Sequence, residues 1–216
     1  YDANHLEEHE FNNVEACFRF RQSDHISWIN VDGLRKADVE AVCNSYAVHP
    51  LLIEDILSIN QRPKMDEVEG VLFCLLNMLY FNDQEGTVEQ EQISIVLGKD
   101  FVVSFQEDAS RDVFNPLREK LHMANSKLRQ RSADYLCYTM LDLIVDNYFV
   151  VMEKLGERIE ELEEQVIRNS NNRALARISA LRKEQIILKR NIAPVRDLVN
   201  GIIRSESELL DDRTTK

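Results

Sequence analysis

The feature that most constrains the fold is a pair of long helical repeats in the second half of the chain. From Leu141 to Val166, apolar residues recur at alternating steps of three and four, as they do on one face of an α-helix. A second stretch repeats this spacing, with one polar member, at positions 175, 178, 181, 185, 188, 192, 195, 199 and 202. The polar run at 169–172 separates the two stretches and supplies candidate N-caps. The pattern predicts a long antiparallel helical hairpin over residues 131–205.

The charges on the two predicted helices favour their pairing. Residues 153–172 carry six Glu against three basic residues, whereas residues 173–196 carry seven basic residues against one Glu. Each exposed ion pair between them contributes less than about 1 kcal/mol. Pro194 lies inside the second helix and predicts a kink, because proline removes a backbone hydrogen bond there.

The first half of the chain predicts an α+β fold. Short β-rich runs are separated by turn residues, and beyond residue 111 only helical patterns follow, which differs from a regular βαβ alternation. We expect strands at 26–31, 68–81, 90–97 and 101–105, and helices at 35–46 and 50–59. We divide the chain into an α/β domain at 1–130, the hairpin at 131–205, and a further segment at 206–216.

Composition limits the classes of function. The net charge of −12 argues against nucleic-acid binding, because phosphate recognition needs a basic surface. The four cysteines are widely spaced and predict reduced core thiols. The longest apolar run, Val71–Phe81, is shorter than the ~20 residues that span a bilayer. We therefore expect no membrane segment in this sequence, and its start without Met suggests a portion of a longer protein.

Two adjacent acids, Glu54 and Asp55, follow a predicted helix start at Pro50. One interpretation is a favourable placement of acids near a helix N-terminus, contributing about 0.3–1 kcal/mol. The other is a cation site. Adjacent helical residues point about 100° apart, so the two carboxylates suit two ions, or one ion bound directly and through water.

Asp142 and Asp146 stand one turn apart on an apolar helix. A carboxylate in such surroundings needs a hydrogen bond, a cation or a proton. The alternatives are a buried ion pair with Arg118 or Arg131, and a hard cation such as Mg²⁺, which prefers carboxylate ligands.

Two further patterns favour ordinary surface roles. The acidic stretch from Glu157 to Glu164 is typical of a solvated helix face, with a cation-attracting tip as the alternative. Residues His5 to His9 match the H-x-x-E-H zinc-protease pattern, but they lie at the chain end and have no identifiable third ligand. We interpret that match as chance. The sequence contains no glycine-rich phosphate loop.

Three stretches taken together resemble the cytoplasmic domain of the CorA family of magnesium and cobalt transporters. They are HPLLIEDILSINQRPK at 49–64, QISIVLGKDFVVSFQE at 92–107, and the run from Arg131 to Val166. The resemblance covers about residues 26–205, and its most specific part is the last run. It implies an α/β/α layered domain with a mixed β-sheet, a long antiparallel hairpin, and a stalk that begins in 206–216 and leads to two membrane helices.

The resemblance also implies a site and an assembly. Family members are homopentamers in the cell inner (plasma) membrane, with regulatory divalent ions held between neighbouring cytoplasmic domains. Matched residue by residue, the acids from one side of that interface fall on Glu54, Asp55 and Asp142, with Asp146 contributing through water. The implied ion is Mg²⁺, both regulatory and transported, with Co²⁺ as a further substrate.

The family's Gly-Met-Asn pore signature does not occur in this sequence, so we expect this chain alone not to conduct ions. Our main hypothesis is an ion-sensing regulatory domain without enzymatic activity. The alternatives are a related zinc or nickel transporter, a soluble coiled-coil scaffold, and a carboxylate-based metal hydrolase, which is the weakest.

Overall fold

The computed structural model describes residues 1–168 and 172–215. A 3₁₀ helix at Val14–Gln22 precedes the first strand. The strands are β1 (Ser27–Asp32), β2 (Lys64–Val68), β3 (Val71–Asn82), β4 (Thr87–Leu97) and β5 (Phe101–Gln106). The α-helices are α1 (Lys36–Ser45), α2 (Pro50–Leu57), α3 (Asn115–His122), α4 (Ala133–Arg168), α5 (Asn172–Arg204) and α6 (Asp212–Thr215).

The predicted strand at 68–81 corresponds to β3, and it is preceded by β2, a strand that the sequence pattern did not predict. Strands β2 and β3 form a hairpin through Glu69 and Gly70, whose φ angles of 51° and 78° suit a two-residue hairpin turn. The sequence pattern missed β2 because its side chains are mostly charged, as is common on a strand at a sheet edge. The other predicted strands and helices are confirmed, with shifts of up to three residues at their ends.

The five strands form one mixed sheet in the order β1-β5-β4-β3-β2. Strand β1 runs parallel to β5, whereas the other three neighbouring pairs are antiparallel. Side chains alternate between the two faces of each strand. On β3, Phe73 and Leu75 pack with the core of α1 and α2, while Cys74 and Leu76 pack with that of α4 and α5. The predicted α/β/α layering is therefore confirmed.

The long hairpin is confirmed. Helices α4 and α5 pack against each other, and Arg177 of α5 donates a hydrogen bond to Gln165 of α4, as expected for antiparallel helices. The predicted break at Asn169–Asn172 lies outside the described residues except for Asn172, where α5 begins. Helix α5 continues through Pro194, and the kink predicted there stays a prediction.

The predicted apolar stripe fits α4 better than α5. On α4, the predicted positions at 141, 144, 148, 151, 155 and 162 are buried. On α5, the prediction is wrong at four apolar positions that are exposed, Leu175, Ile178, Ile192 and Val199, while Glu184 and Asn191 are buried. The buried face is rotated because these two polar side chains form hydrogen bonds with β3 and β4.

Helix α4 belongs to the protein core. By length and composition alone, Ala133–Ile167 could cross a membrane, but 44% of its most apolar window is buried within the fold. Because α4 packs on the sheet, we assign it as a core helix. The domain boundary at residue 130 and the stalk at 206–216 stay predictions. The four cysteines are buried free thiols, as predicted.

Candidate metal centre

Helix α2 presents the first predicted acid pair. Pro50 lies in its first turn, and the His49 imidazole caps the helix by accepting a hydrogen bond from the Leu51 N–H at 3.2 Å. The helix buries its apolar face against the sheet, which leaves Glu54 exposed and Asp55 half-buried. Two carboxylates therefore lie at or near the surface of one short helix.

Asp55 already has a cationic partner. The Lys64 Nζ of β2 lies 2.6 Å from Asp55 Oδ2, and the two side chains are 34% and 22% exposed. Lys64 Nζ also lies 3.5 Å from Asp66 Oδ2. Since an ammonium and a divalent cation are attracted to the same carboxylate, an ion that binds Asp55 competes with Lys64.

Two glutamines hold the C-terminal end of α2. Gln61 Nε2 donates to the backbone carbonyls of Asp55 and Ser58 at 3.0 and 3.1 Å. From β4, Gln92 Nε2 donates to the carbonyls of Asp55 and Ile56, both at 3.3 Å. These bonds satisfy carbonyls at the helix end and fix the orientation of the acid pair. The sequence reasoning did not assign these roles to Lys64, Gln61 and Gln92, although all three lie in the stretches that carry the family resemblance.

Helix α4 presents the second predicted acid pair. Asp142 and Asp146 are exposed one turn apart on its outer face. The partly exposed Tyr138 lies on the same face, and the Asp142 carboxylate is the main cause that raises the pKa of its phenol, followed by desolvation. The outer face of α4 therefore concentrates negative charge beside an aromatic side chain.

The alternative of a buried ion pair for these acids is wrong. Arg118 pairs instead with Asp112, Nη1 to Oδ2 at 2.6 Å. The Arg131 guanidinium lies 5.7 Å from the ring centroid of Tyr135. The exposure of the two aspartates removes the need for a compensating buried cation.

The structure does not gather the four predicted ligands into one site within a single chain. Helix α2 packs on one face of the sheet and α4 on the other, so the two acid pairs belong to different layers. Within residues 1–168 and 172–215, no three His, Cys, Asp or Glu side chains are grouped so as to hold a metal ion. Within one chain, the two acid pairs therefore do not face a common ion.

The acidic stretch of α4 makes local ion pairs. Glu157 pairs with Lys154 at 3.4 Å and Glu161 with Arg158 at 3.3 Å, each three residues apart on an exposed helix surface. Such pairs are typical of a solvated helix face.

The H-x-x-E-H segment is not helical. His5 and His9 lie in irregular chain, and both imidazoles contact Glu7, at 3.3 and 3.2 Å. The zinc-protease arrangement requires both histidines on one helix face, so the segment does not form that site.

Comparison with known proteins extends these observations. The sequence model of the family described as CorA-like Mg²⁺ transporter protein matches residues 23–216. The chain is 34% identical over 215 residues to the cobalt/magnesium transport protein CorA of Thermotoga maritima, covering 99% of this chain and 61% of that protein. It thus spans about three-fifths of this relative's length.

Two solved domains of other proteins have the same fold. The soluble domain of CorA from Methanocaldococcus jannaschii matches with a TM-score of 0.72 and 16% identity, covering 89% of this chain and 79% of that chain. The cytoplasmic domain of ZntB from Vibrio parahaemolyticus matches with a TM-score of 0.68 and 17% identity, covering 90% and 78%. At these identities the likeness shows the fold alone.

Proposed function

The chain belongs to the family of CorA-like Mg²⁺ transporter proteins, and on that premise we propose that it is the ion-sensing regulatory domain of a divalent-cation transporter. The domain lies on the cytoplasmic side of the cell inner (plasma) membrane, and the full protein is a homopentamer. Mg²⁺ is both regulator and substrate, and Co²⁺ is a further substrate. The transmembrane pore belongs to a part of the protein outside this chain.

The placement of the four acids is the observation that carries this proposal. Glu54, Asp142 and Asp146 are exposed, and Asp55 is half-buried beside a lysine. In the described part of one chain, no three His, Cys, Asp or Glu side chains are grouped so as to hold a metal ion. Ligands shared between neighbouring subunits complete such a site, so that ion occupancy depends on how the subunits meet.

The chemistry of the donors favours Mg²⁺ over Zn²⁺. All four predicted ligands supply carboxylate oxygens, which hard cations such as Mg²⁺ prefer. Zn²⁺ sites usually include imidazole or thiolate ligands. The four cysteines of this chain are buried in the core.

In the proposed mechanism, the acids of neighbouring subunits share an ion and hold the assembly closed. When the ion concentration falls, the carboxylates lose their counter-charge and repel one another across the interface. The subunits then separate slightly, and the long hairpin and the following chain transmit that movement toward the pore.

The largest free energy that the ions can supply exceeds what such a switch needs. At ~10 times its dissociation constant, an ion stabilises the state it prefers by about 1.4 kcal/mol per site. Five sites in a pentamer supply roughly 7 kcal/mol, which exceeds the ~5.5 kcal/mol that moves a two-state equilibrium from 1:99 to 99:1. The sum is an upper bound, since it assumes that the open state binds no ion.

The Asp142→Asn substitution tests the site assignment. We expect this variant of the full-length protein to need about tenfold more cytoplasmic Mg²⁺ for half-inhibition of flux, because a neutral amide attracts the ion less strongly. Maximal flux at low Mg²⁺ should be unchanged, and Co²⁺ flux measured in parallel tests the second substrate.

The matched control is Asp24→Asn, which removes the same charge from an exposed aspartate before β1. It should leave the Mg²⁺ response unchanged. Inhibition of the Asp142→Asn variant at the original Mg²⁺ concentration would reject Asp142 as a ligand.

A further inference from the structure

The chain between α5 and α6 returns to the α/β layers instead of continuing as helix. We call residues 205–211 the connector. Its Ser207 Oγ donates to Glu67 Oε1 of β2 at 2.7 Å, and Ser205 Oγ lies 3.4 Å from Glu67 Oε2. Leu209 and Leu210 pack against the core cluster that includes α4. One carboxylate on the edge strand thus holds the start of the connector.

A second carboxylate holds the end of the connector. Asp134, in the first turn of α4, is only 2% exposed. Its Oδ2 accepts a hydrogen bond from the Asp211 N–H at 2.9 Å, and its Oδ1 accepts one from Ser132 Oγ at 2.6 Å. A buried carboxylate requires such donors, so release of the connector leaves Asp134 with one partner fewer.

Helix α4 and strand β2, which hold the connector, are also linked to the proposed ion ligands. Helix α4 carries a proposed ligand, and β2 carries a lysine that pairs with one. Asp134 and Asp142 lie on α4, about 12 Å apart along the helix axis at ~1.5 Å per residue. On β2, Glu67 follows three residues after Lys64, which pairs with Asp55. Helix α4 carries both Asp134 and Asp142, and the Lys64–Asp55 ion pair joins α2 to the strand that carries Glu67. A shift of either acid pair therefore reaches an anchor of the connector, directly along α4 or through Lys64.

From this arrangement we infer that the connector is a coupling element, held by Glu67 on β2 and Asp134 on α4, that transmits the state of both acid pairs to the chain beyond α6. The inference rests on the proposed function, because it assumes that the following chain leads to the pore. Glu67 and Asp134 are positioning residues, and they do not bind the ion.

Amide hydrogen exchange on this chain tests the anchoring. We expect Asp134→Ala to raise the exchange rate of the Asp211 amide about tenfold, because its acceptor is lost. Asp134→Asn keeps one acceptor oxygen and should show a smaller increase. Glu67→Ala, at an exposed position, should raise the exchange rate of amides in the connector without changing exchange in β3 and β4. This variant still tests the anchoring if Asp134→Ala does not fold.

Glu85→Ala is the matched control, since Glu85 is exposed in the β3–β4 turn. It should leave exchange in the connector unchanged. If the Glu67→Ala and Asp134→Asn variants both exchange in the connector at the rate of the unmodified chain, the anchoring is refuted.

Flux through the full-length protein tests the coupling. We expect Glu67→Ala to raise the Mg²⁺ concentration for half-inhibition at least threefold, with Mg²⁺ binding by the domain unchanged. Faster connector exchange with unaltered Mg²⁺ inhibition would overturn the coupling while the proposed function stands. An unmodified protein that Mg²⁺ does not inhibit would overturn both, so the two failures are distinguishable.

Discussion

Lys64 gives the proposed ion site an internal competitor. Its ammonium neutralises Asp55 when no divalent ion is present, which limits the repulsion between the acids in the empty state. The pair is partly exposed, so its contribution is in the range of surface ion pairs, about 0.2–1 kcal/mol. That energy is small, but it opposes ion binding directly.

Lys64→Met should therefore tighten Mg²⁺ binding. We expect the dissociation constant to fall about 1.4- to fivefold, which corresponds to the loss of a competing ion pair of about 0.2–1 kcal/mol. Titration calorimetry of the full-length protein measures this change. Lys99→Met, at an exposed turn position, is the control, and weaker binding by the Lys64 variant would contradict the competition.

At the level of elements, α5 docks on the sheet through a polar seam. Asn77 Nδ2 of β3 donates to Asn191 Oδ1 at 2.8 Å, and both side chains are buried. The Val88 N–H of β4 donates to Glu184 at 2.7 Å. Because buried polar groups are costly without partners, these bonds fix how α5 is rotated and where it lies along the strands.

Asn191→Leu should destabilise the fold by about 1–3 kcal/mol, because the buried Asn77 Nδ2 loses the shorter of its two hydrogen bonds and keeps only the one to the Gln61 carbonyl. Urea denaturation followed by circular dichroism measures the loss as a lower transition midpoint. The double variant Asn77→Leu/Asn191→Leu should recover part of the stability, since neither amide of this pair then faces an apolar side chain.

Asn200→Leu is the control on the same helix, at an exposed position. It should change the free energy of unfolding by less than about 0.5 kcal/mol. Equal midpoints for Asn191→Leu and the unmodified chain would show that the seam does not contribute to stability.

At the scale of the whole molecule, the net charge of −12 opposes association between copies of the chain. Monovalent salt screens this repulsion without joining particular residues. Divalent ions bound between carboxylates both neutralise charge and connect subunits. The proposed function thus predicts that association of the chain depends on which cation is present, and not on ionic strength alone.

Sedimentation of this chain should accordingly show greater association in millimolar Mg²⁺ than in NaCl of equal ionic strength. Asp142→Asn should reduce the difference, because it removes a proposed shared ligand. Identical sedimentation in the two salts would count against ion-linked subunits.

The sequence predicted most elements because their patterns are local. The three-and-four spacing on α4 and the apolar, β-rich runs on β3 to β5 are features of single segments, which each segment shows without its neighbours. Strand β2 was missed because a charged edge strand buries little apolar surface. Its pairing depends on β3, which a local pattern does not report.

By itself, the sequence determined the fold class, the long hairpin, the family resemblance and which carboxylates are candidates for ion binding. Tertiary structure decided which face of α5 is buried, because hydrogen bonds from Glu184 and Asn191 outweigh the apolar stripe. It also decided that Asp55 pairs with Lys64 and that the two acid pairs lie in different layers. These are contacts between segments far apart in the chain, and their partners are set by packing across the sheet.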